Sequence, residues 1–567
     1  MSGVKYLDWF DWCVFGGMLL LSSAIGVYFA FFSKKKQDTT SEYLMGGRTM
    51  PIFPISMSLI ASYISGITLL GTPAEIYVYG SQAYMGVISD ILTNITIVIV
   101  YLPVFFKLQV TSSYEYLNRR FGPTVRLFGT CLFLIKMPIR LVINRTVFFF
   151  SVTGINLHLI SPIVCSVCIF YTSLGGLKAV VWADTLQMFL MMGGIVVVLI
   201  IGIVKVGGLG IVYDRAVETS RAEFFNTDLD PTVRHTLWNM LLGNYIYHVA
   251  TMAVNQCMVQ RCLSVSSIRH AKWAMFILTA GIFCIVTLCT LTGFVMHAYF
   301  FDCDPIKSKK ISKADQLLPY FVMETSTIMP GLPGIFLSGV FSAALSTMST
   351  GLNSMTGVIF EDMIEPWTGG LSERATGRVL KLVVVLIGIL CVSMVFVVEQ
   401  LGTLFQMTKS LLGITNGPLL GLFTLGMFFP SANAFGALVG GITALCTMGW
   451  ISLGAQSVIS KGLIKFPTKS VNVSGCKEPL DHLSNLEVAM EPLYMFRISY
   501  MWYGLIGLFI TISVGLLVSN LRPDSKKVDR DLLSPVIYRF LAEDKSSSEI
   551  QSAISPVSLK LIEMKSC

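Results

Sequence analysis

Thirteen mostly apolar stretches recur along the chain, near 12–32, 53–78, 83–106, 126–151, 157–174, 184–204, 238–259, 274–300, 333–359, 379–398, 402–428, 433–454 and 498–519. A helix needs about 20 such residues to cross the ~30 Å hydrocarbon layer of a bilayer. Backbone polar groups in lipid must be satisfied internally, which leaves helices or closed barrels, and barrel strands are only about 9–11 residues long. The expectation is an all-α membrane protein with 13 transmembrane helices.

Composition agrees. Of 567 residues, 54% are hydrophobic and 13% charged, against roughly 25% charged in soluble domains. The net charge of +8 does not point to nucleic acid, because the basic residues lie mainly between apolar stretches, as membrane topology requires. Most of the thirteen cysteines lie inside apolar stretches and read as packing residues. The first apolar stretch is too long for a signal peptide and lacks a basic leader and a cleavage site.

With the N-terminus (1–11) placed outside, the inner connections hold 15 Lys and Arg and the tail adds eight; the outer connections hold 13, mostly in long loops that count weakly. The tail 520–567 is then cytoplasmic, and its polar composition reads as disordered. The sequon at Asn472 falls in the outer loop 455–497 and is a glycosylation candidate; those at Asn94 and Asn144 fall inside spans. Cys303 and Cys476 lie in outer loops, where an oxidising medium lets them pair. Two separate thiols remain the alternative.

Several spans contain residues that a lipid-facing helix avoids. The second runs Ser58-Leu59-Ile60-Ala61-Ser62-Tyr63-Ile64-Ser65-Gly66-Ile67-Thr68. Such a segment either unwinds, exposing carbonyls that bind a cation, or packs closely through small residues. The ninth runs Phe341-Ser342-Ala343-Ala344-Leu345-Ser346-Thr347-Met348-Ser349-Thr350. Its hydroxyl stripe either offers oxygens to a hard cation such as sodium or bonds back to its own helix. The seventh span carries Asn255, Gln256 and Gln260; the eleventh carries Gln406, Lys409 and a helix-breaking Pro418.

The run Tyr171-Thr172-Ser173-Leu174-Gly175-Gly176-Leu177-Lys178-Ala179-Val180-Val181-Trp182-Ala183-Asp184 resembles the signature of the sodium:solute symporters. Leu70-Gly71-Thr72-Pro73-Ala74-Glu75, Thr111-Ser112-Ser113-Tyr114-Glu115, Val254-Asn255-Gln256, Val259-Gln260-Arg261 and Gly417-Pro418-Leu419 add to it. Together they resemble the branch of sodium-coupled monocarboxylate, multivitamin and iodide transporters. The resemblance implies a leucine-transporter-type 5+5 inverted repeat, with a leading helix at 12–32, repeats at 53–204 and 238–428, and two trailing helices at 433–519. It implies a sodium ion held by the carbonyls of Ala61, Ile64 and Ala343 and the hydroxyls of Ser346 and Thr347. Asp184 is implied near the sodium exit, with a plain interface carboxylate as the alternative. Tyr63, Ser65, Gly66, Gln256 and Gln406 are implied near the solute.

The fourth span departs from the branch. Lys136, Arg140 and Asn144 share one helix face. A charge at mid-bilayer costs at least ~2.5–3.5 kcal/mol and marks a functional site by default. Arg140 and Lys409 are therefore candidates for attracting an anionic solute, and an ion pair between Asp90 and Lys136 or Arg140 is the alternative. Arg145 reads as snorkelling to the surface.

The expected function is sodium-driven uptake of a small, anionic organic solute by alternating access, at the plasma membrane. A monocarboxylate or a vitamin such as biotin or pantothenate fits. The rivals are another solute on the same fold (iodide, sugar, choline, proline) and a transporter-derived channel or receptor. No metal cluster, carboxylate pair or nucleophile–base pair appears in the spans, so no enzyme is expected.

Overall fold

The computed structural model describes residues 8–33, 39–152, 157–326, 329, 331–398, 404–464, 466–476, 492–524 and 528–541; the side chains of 67, 139–161 and 394–411 fall outside that description. Regular structure among the described residues is helical throughout. The principal helices are α1 (Trp9–Val27), α2 (Ile52–Tyr63), α3 (Gly66–Tyr79), α4 (Gly86–Thr96), α5 (Ser113–Phe121), α6 (Pro123–Val152), α7 (Leu157–Val206), α8 (Asn244–Met252), α9 (Gln256–Cys262), α10 (Ile268–Tyr299), α11 (Leu332–Ile359), α12 (Glu373–Val398), α13 (Leu404–Phe428), α14 (Ala434–Ser460) and α15 (Tyr503–Leu521).

Helix falls in every one of the thirteen expected intervals. Eight described helices are long and apolar enough to cross a bilayer, or nine with the bent pair α2–α3 counted as one. Length and hydropathy thus account for eight or nine crossings rather than thirteen. Of the rest, the seventh is broken at α8–α9, the fifth and sixth are merged, and α6 and α13 are continuous helices whose side chains are described only in part. The fifth and sixth expected spans form the single run α7, bent at Gly176 (φ 53°, ψ −150°). Only glycine adopts such a backbone readily, and a Cβ there would stand 2.7 Å from the Tyr43 carbonyl oxygen.

α11 is the centre of the bundle. Its most apolar window is 94% buried, whereas the other spans range from 22% to 39%. Having no lipid face, α11 directs its hydroxyls at protein, against α7, α1, α6, α12 and α2. The trailing helices pack through small residues: a Cβ on Gly440 of α14 would meet the Thr511 carbonyl of α15 at 2.5 Å.

The two ends of the bundle differ. At one, Cys303 and Cys476 form a disulfide, Cα atoms 5.0 Å apart, linking the loops after α10 and α14. At the other, part of the tail departs from the disorder expected for 520–567. Residues 528–541 form two short turns that bury Leu532 and Leu533. The Tyr116 hydroxyl donates to the Leu532 carbonyl at 3.0 Å and the Ser534 amide to the Met427 carbonyl at 3.0 Å. Two adjacent leucines supply the apolar contact that the polar composition masks.

Candidate functional site

Two helix breaks face each other at the middle of the bundle. α2 stops at Tyr63, Ile64 (φ −75°, ψ 112°) and Ser65 (φ −102°, ψ 167°) are extended, and the helix resumes at Gly66. The two halves are bent by 50°. Carbonyls in the last turn of a helix lose their intrahelical partners, so the break exposes oxygen atoms. Between α8 and α9, Asn255 is extended and caps α9, its side chain accepting from the Cys257 amide at 3.2 Å.

α11 presents its hydroxyl stripe to the first break. Ala61, Ile64, Ala343 and Ser346 are fully buried and Thr347 nearly so. The Ser346 hydroxyl lies beside Asp184 but makes no hydrogen bond of ordinary geometry among the described residues. An unsatisfied buried hydroxyl costs ~1–3 kcal/mol, so a cation there would be welcome. The Thr347 hydroxyl donates to the Ala343 carbonyl at 2.9 Å, the back-bonding open from sequence. Its lone pairs stay available to a cation. Ser62 of α2 and Thr350 of α11 share a hydrogen bond of 2.8 Å, which ties the two walls together.

On the tail side, a buried polar network closes the bundle. Arg261 of α9 donates to Asp184 of α7 at 3.1 Å and to Ser58 of α2 at 2.6 Å. Ser58 donates to Asp184 at 2.5 Å, and Arg261 also bonds to Thr350. Arg261 and Asp184 are almost wholly excluded from solvent. Asp184 is therefore no exposed interface carboxylate.

Toward the disulfide end lies a cavity of about 180 Å³. Ser62, Tyr63, Ser65, Thr68, Asn244, Thr251, Asn255, Thr347 and Thr350 give it polar walls; Met137, Met240, Val286 and Leu412 supply apolar ones. At its rim Glu75 of α3 takes two bonds from Arg234, at 2.7 and 3.2 Å. The guanidinium stacks on Tyr79 at 4.3 Å and Phe466 at 5.0 Å. Close by, burial and then Glu75 raise the Asp315 carboxyl to about 6.

Of the solute candidates, Tyr63 and Ser65 line the cavity, and Gly66 opens α3 beside them. Gln256 does not. Its carbonyl accepts from the Ser113 amide at 2.6 Å and its amide donates to the Thr111 carbonyl at 2.8 Å, so it braces the loop before α5. Its place at a broken span implied a position near the solute, but one backbone donor and one backbone acceptor hold both ends of its amide. The side chains of Arg140, Gln406, Lys409 and Asn144 lie outside the described residues. Lys136 donates to Asn416 at 2.7 Å, and Asp90 engages Tyr63 and His248. Asn472 is exposed, with its side chain accepting from the Ser474 amide at 3.0 Å. Cys165 and Cys168 are buried thiols one helical turn apart, and no group of three metal-ligating side chains occurs among the described residues. His248 and the Arg234–Glu75 pair went unnoticed in the sequence; an ionisable residue within a span was the signal available.

A family model for sodium:solute symporters matches residues 43–444. The chain belongs to the sodium:solute symporter family. Within the family it is 37% identical to mouse (Mus musculus) sodium-coupled monocarboxylate transporter 2, covering 95% of this chain and 88% of that protein. It is 35% identical to human (Homo sapiens) sodium-coupled monocarboxylate transporter 1, over 90% and 86%. A Drosophila melanogaster protein named provisionally as a sodium-dependent multivitamin transporter is 35% identical, over 90% and 86%. The fold matches that of a Na+-coupled sialic acid symporter in a substrate-bound, outward-open state, with TM-score 0.75 and 23% identity over 92% of this chain and all of the other. This sodium:solute symporter has the leucine-transporter-type fold and is a multi-pass membrane protein that moves a small solute with sodium.

Proposed function

We propose that the chain imports a short organic anion, a monocarboxylate in the first instance, together with sodium, by alternating access across the plasma membrane. The observation that carries this reading is the carbonyl edge freed where α2 ends, at Ala61 and Ile64, set against the Ser346 hydroxyl, which makes no ordinary hydrogen bond among the described residues, with a cavity of about 180 Å³ beside them. The carbonyls of Ala61, Ile64 and Ala343 and the hydroxyls of Ser346 and Thr347 supply five hard oxygens for sodium. Sodium binding straps α2 to α11 and forms the solute wall at Tyr63 and Ser65. Solute affinity then rises with sodium, and sodium affinity with solute, by reciprocal linkage. The Asp184–Arg261 network stands between the sodium site and the tail side, and Asp184 receives the departing ion once the network opens.

The cavity of about 180 Å³ is smaller than the ~300–1,000 Å³ of drug-sized ligand sites. That favours a short monocarboxylate over biotin or pantothenate, whereas names among the relatives admit both classes. Arg140 and Lys409 are the proposed attractors of the carboxylate. The N-terminus lies outside, the tail in the cytoplasm, and Asn472 carries a glycan. Each net charge moved inward gains about 2.3 kcal/mol per 100 mV; one sodium with one monoanion moves none, so a current requires a second sodium. Sodium-dependent uptake of labelled lactate and biotin in expressing cells tests the reading. Lactate uptake that Arg140→Gln abolishes at normal surface delivery supports it, and lactate uptake unaffected by that substitution removes Arg140 from the site.

A further inference from the structure

The tail end of the bundle carries a contact that neither the sodium site nor the cavity uses. Ser534 is fully buried. Its amide donates to the Met427 carbonyl of α13 at 3.0 Å, and its hydroxyl donates to the Val100 carbonyl at 3.1 Å. Met427 lies in the last turn of α13, where carbonyls lack intrahelical partners. Val100 lies in the π-helical turn Ile97–Tyr101 that continues α4. One residue of the tail thus holds the inner ends of the third and eleventh spans together.

The rest of 528–541 keeps Ser534 in place. Asp529 caps the turn Arg530–Leu532, accepting from the Asp531 amide at 3.0 Å. The Tyr538 hydroxyl donates to the Arg530 carbonyl at 3.1 Å, and the Arg530 guanidinium stands 4.6 Å from the Tyr538 ring centroid. Those two contacts fold the second turn, Pro535–Phe540, onto the first. Leu532 and Leu533 are buried beneath, and Asp531 pairs with Lys107 at the surface. An exposed pair of that kind is worth little alone, so the leucines and the buried hydrogen bonds set the attachment. Beside it, Arg120 of α5 donates to the carbonyls of Gly426, Phe429 and Ala432 at 3.1, 3.0 and 2.9 Å. Residues 100–120 and 426–432, from opposite halves of the chain, therefore meet along a seam that the tail crosses.

In a fold of this type, alternating access rocks one repeat against the other around the bound solute. When the two sides of the seam part, Ser534 keeps at most one of its two carbonyls. Here the tail side is closed by the Arg261–Asp184 pair, and the tail is docked. We propose that residues 528–541 form a strap that docks while the inner side is closed and comes off as it opens, so that sodium, by favouring the closed inner side, tightens the tail. This rests on the sodium site at Ser346 and Thr347 proposed above. Sodium bound between α2 and α11 and a tail docked on α13 then strengthen each other by linkage.

Amide exchange of residues 528–541 is read on the full chain in lipid nanodiscs, without solute, in sodium and in potassium at equal ionic strength. Equal ionic strength matters because any salt screens the exposed Lys107–Asp531 pair. Exchange is at least about threefold slower in sodium. Leu533 belongs neither to the sodium site nor to the cavity wall. Leu533→Asp makes exchange fast in both media and raises half-saturating sodium, read as binding of radioactive sodium, at least about twofold. If that variant does not fold, the sodium–potassium comparison in the unaltered chain decides alone. Equal or faster exchange in sodium overturns the proposal, as does a Leu533→Asp chain whose tail is released and whose half-saturating sodium is unchanged. Failure of lactate uptake overturns the solute reading and leaves this test intact, because exchange is read without solute.

Discussion

Arg261 and Asp184 form an ion pair of 3.1 Å in which both side chains are almost fully buried. It joins α9, just past the second helix break, to α7, just past the Gly176 bend. The second break and the Gly176 bend thus end on one charge pair on the tail side of the cavity. Removing one partner of such a pair leaves an uncompensated buried charge and costs about 3–5 kcal/mol. Asp184→Asn and Arg261→Gln should each lower thermal stability in detergent and abolish uptake. The double variant should recover part of the stability and none of the transport. Singles as stable as the unaltered chain would show that the pair does not hold the closed side.

Ser346→Ala separates ion binding from folding. Its hydroxyl makes no ordinary hydrogen bond among the described residues, so deleting it removes a polar group without orphaning a partner. Thermal stability should stay within about 0.5 kcal/mol or rise, whereas half-saturating sodium should increase about tenfold, the equivalent of 1.4 kcal/mol. Unchanged sodium dependence would place the ion elsewhere.

The Cys303–Cys476 bond closes a span of 173 residues. Chain-entropy reasoning gives at most about 5 kcal/mol for such a loop, and less in a membrane, where the spans restrain the unfolded chain. Cys303→Ser, Cys476→Ser and the double variant should all show one reduced melting temperature, because the three lose the same bond. Three different values would indicate that the cysteines act separately.

Burial and Glu75 raise Asp315 from the usual carboxylate range to about 6. An acid whose folded-state pKa is raised binds its proton more tightly when folded, so the segment around it is best held below the unfolded value near 4 and weakens as pH rises through about 6. Amide exchange in residues 301–326 should accordingly be slower at pH 5 than at pH 7 after correction for intrinsic rates, and Asp315→Asn should remove the difference. Equal protection at both pH values would mean that Asp315 stays exposed to water.

Legibility in the sequence followed the kind of force involved. Lipid imposes one rule on every span, so apolar length alone located helix in all thirteen intervals. The stripe at Ser346 and Thr347 was legible as polar groups kept from lipid, and both are buried, but the residues alone did not separate cation binding from bonding back to the helix, which Thr347 does. Gln256 misled because a polar residue at a break has two customers, ligand and backbone, and sequence does not show that the Thr111–Ser113 loop comes within reach. Tyr63, Asp90 and His248 sit on three different helices, and their meeting is a product of tertiary packing alone. Leu532 and Leu533 were lost in a polar tail because averaging over the segment hides two anchoring residues.

The coupling claim is tested most directly by solute entry into vesicles holding the purified chain, with external sodium replaced in turn by potassium and by a bulky organic cation. The account predicts that accumulation above equilibrium collapses in both replacements and returns with sodium. Entry at the same rate and to the same level in all three media would contradict it.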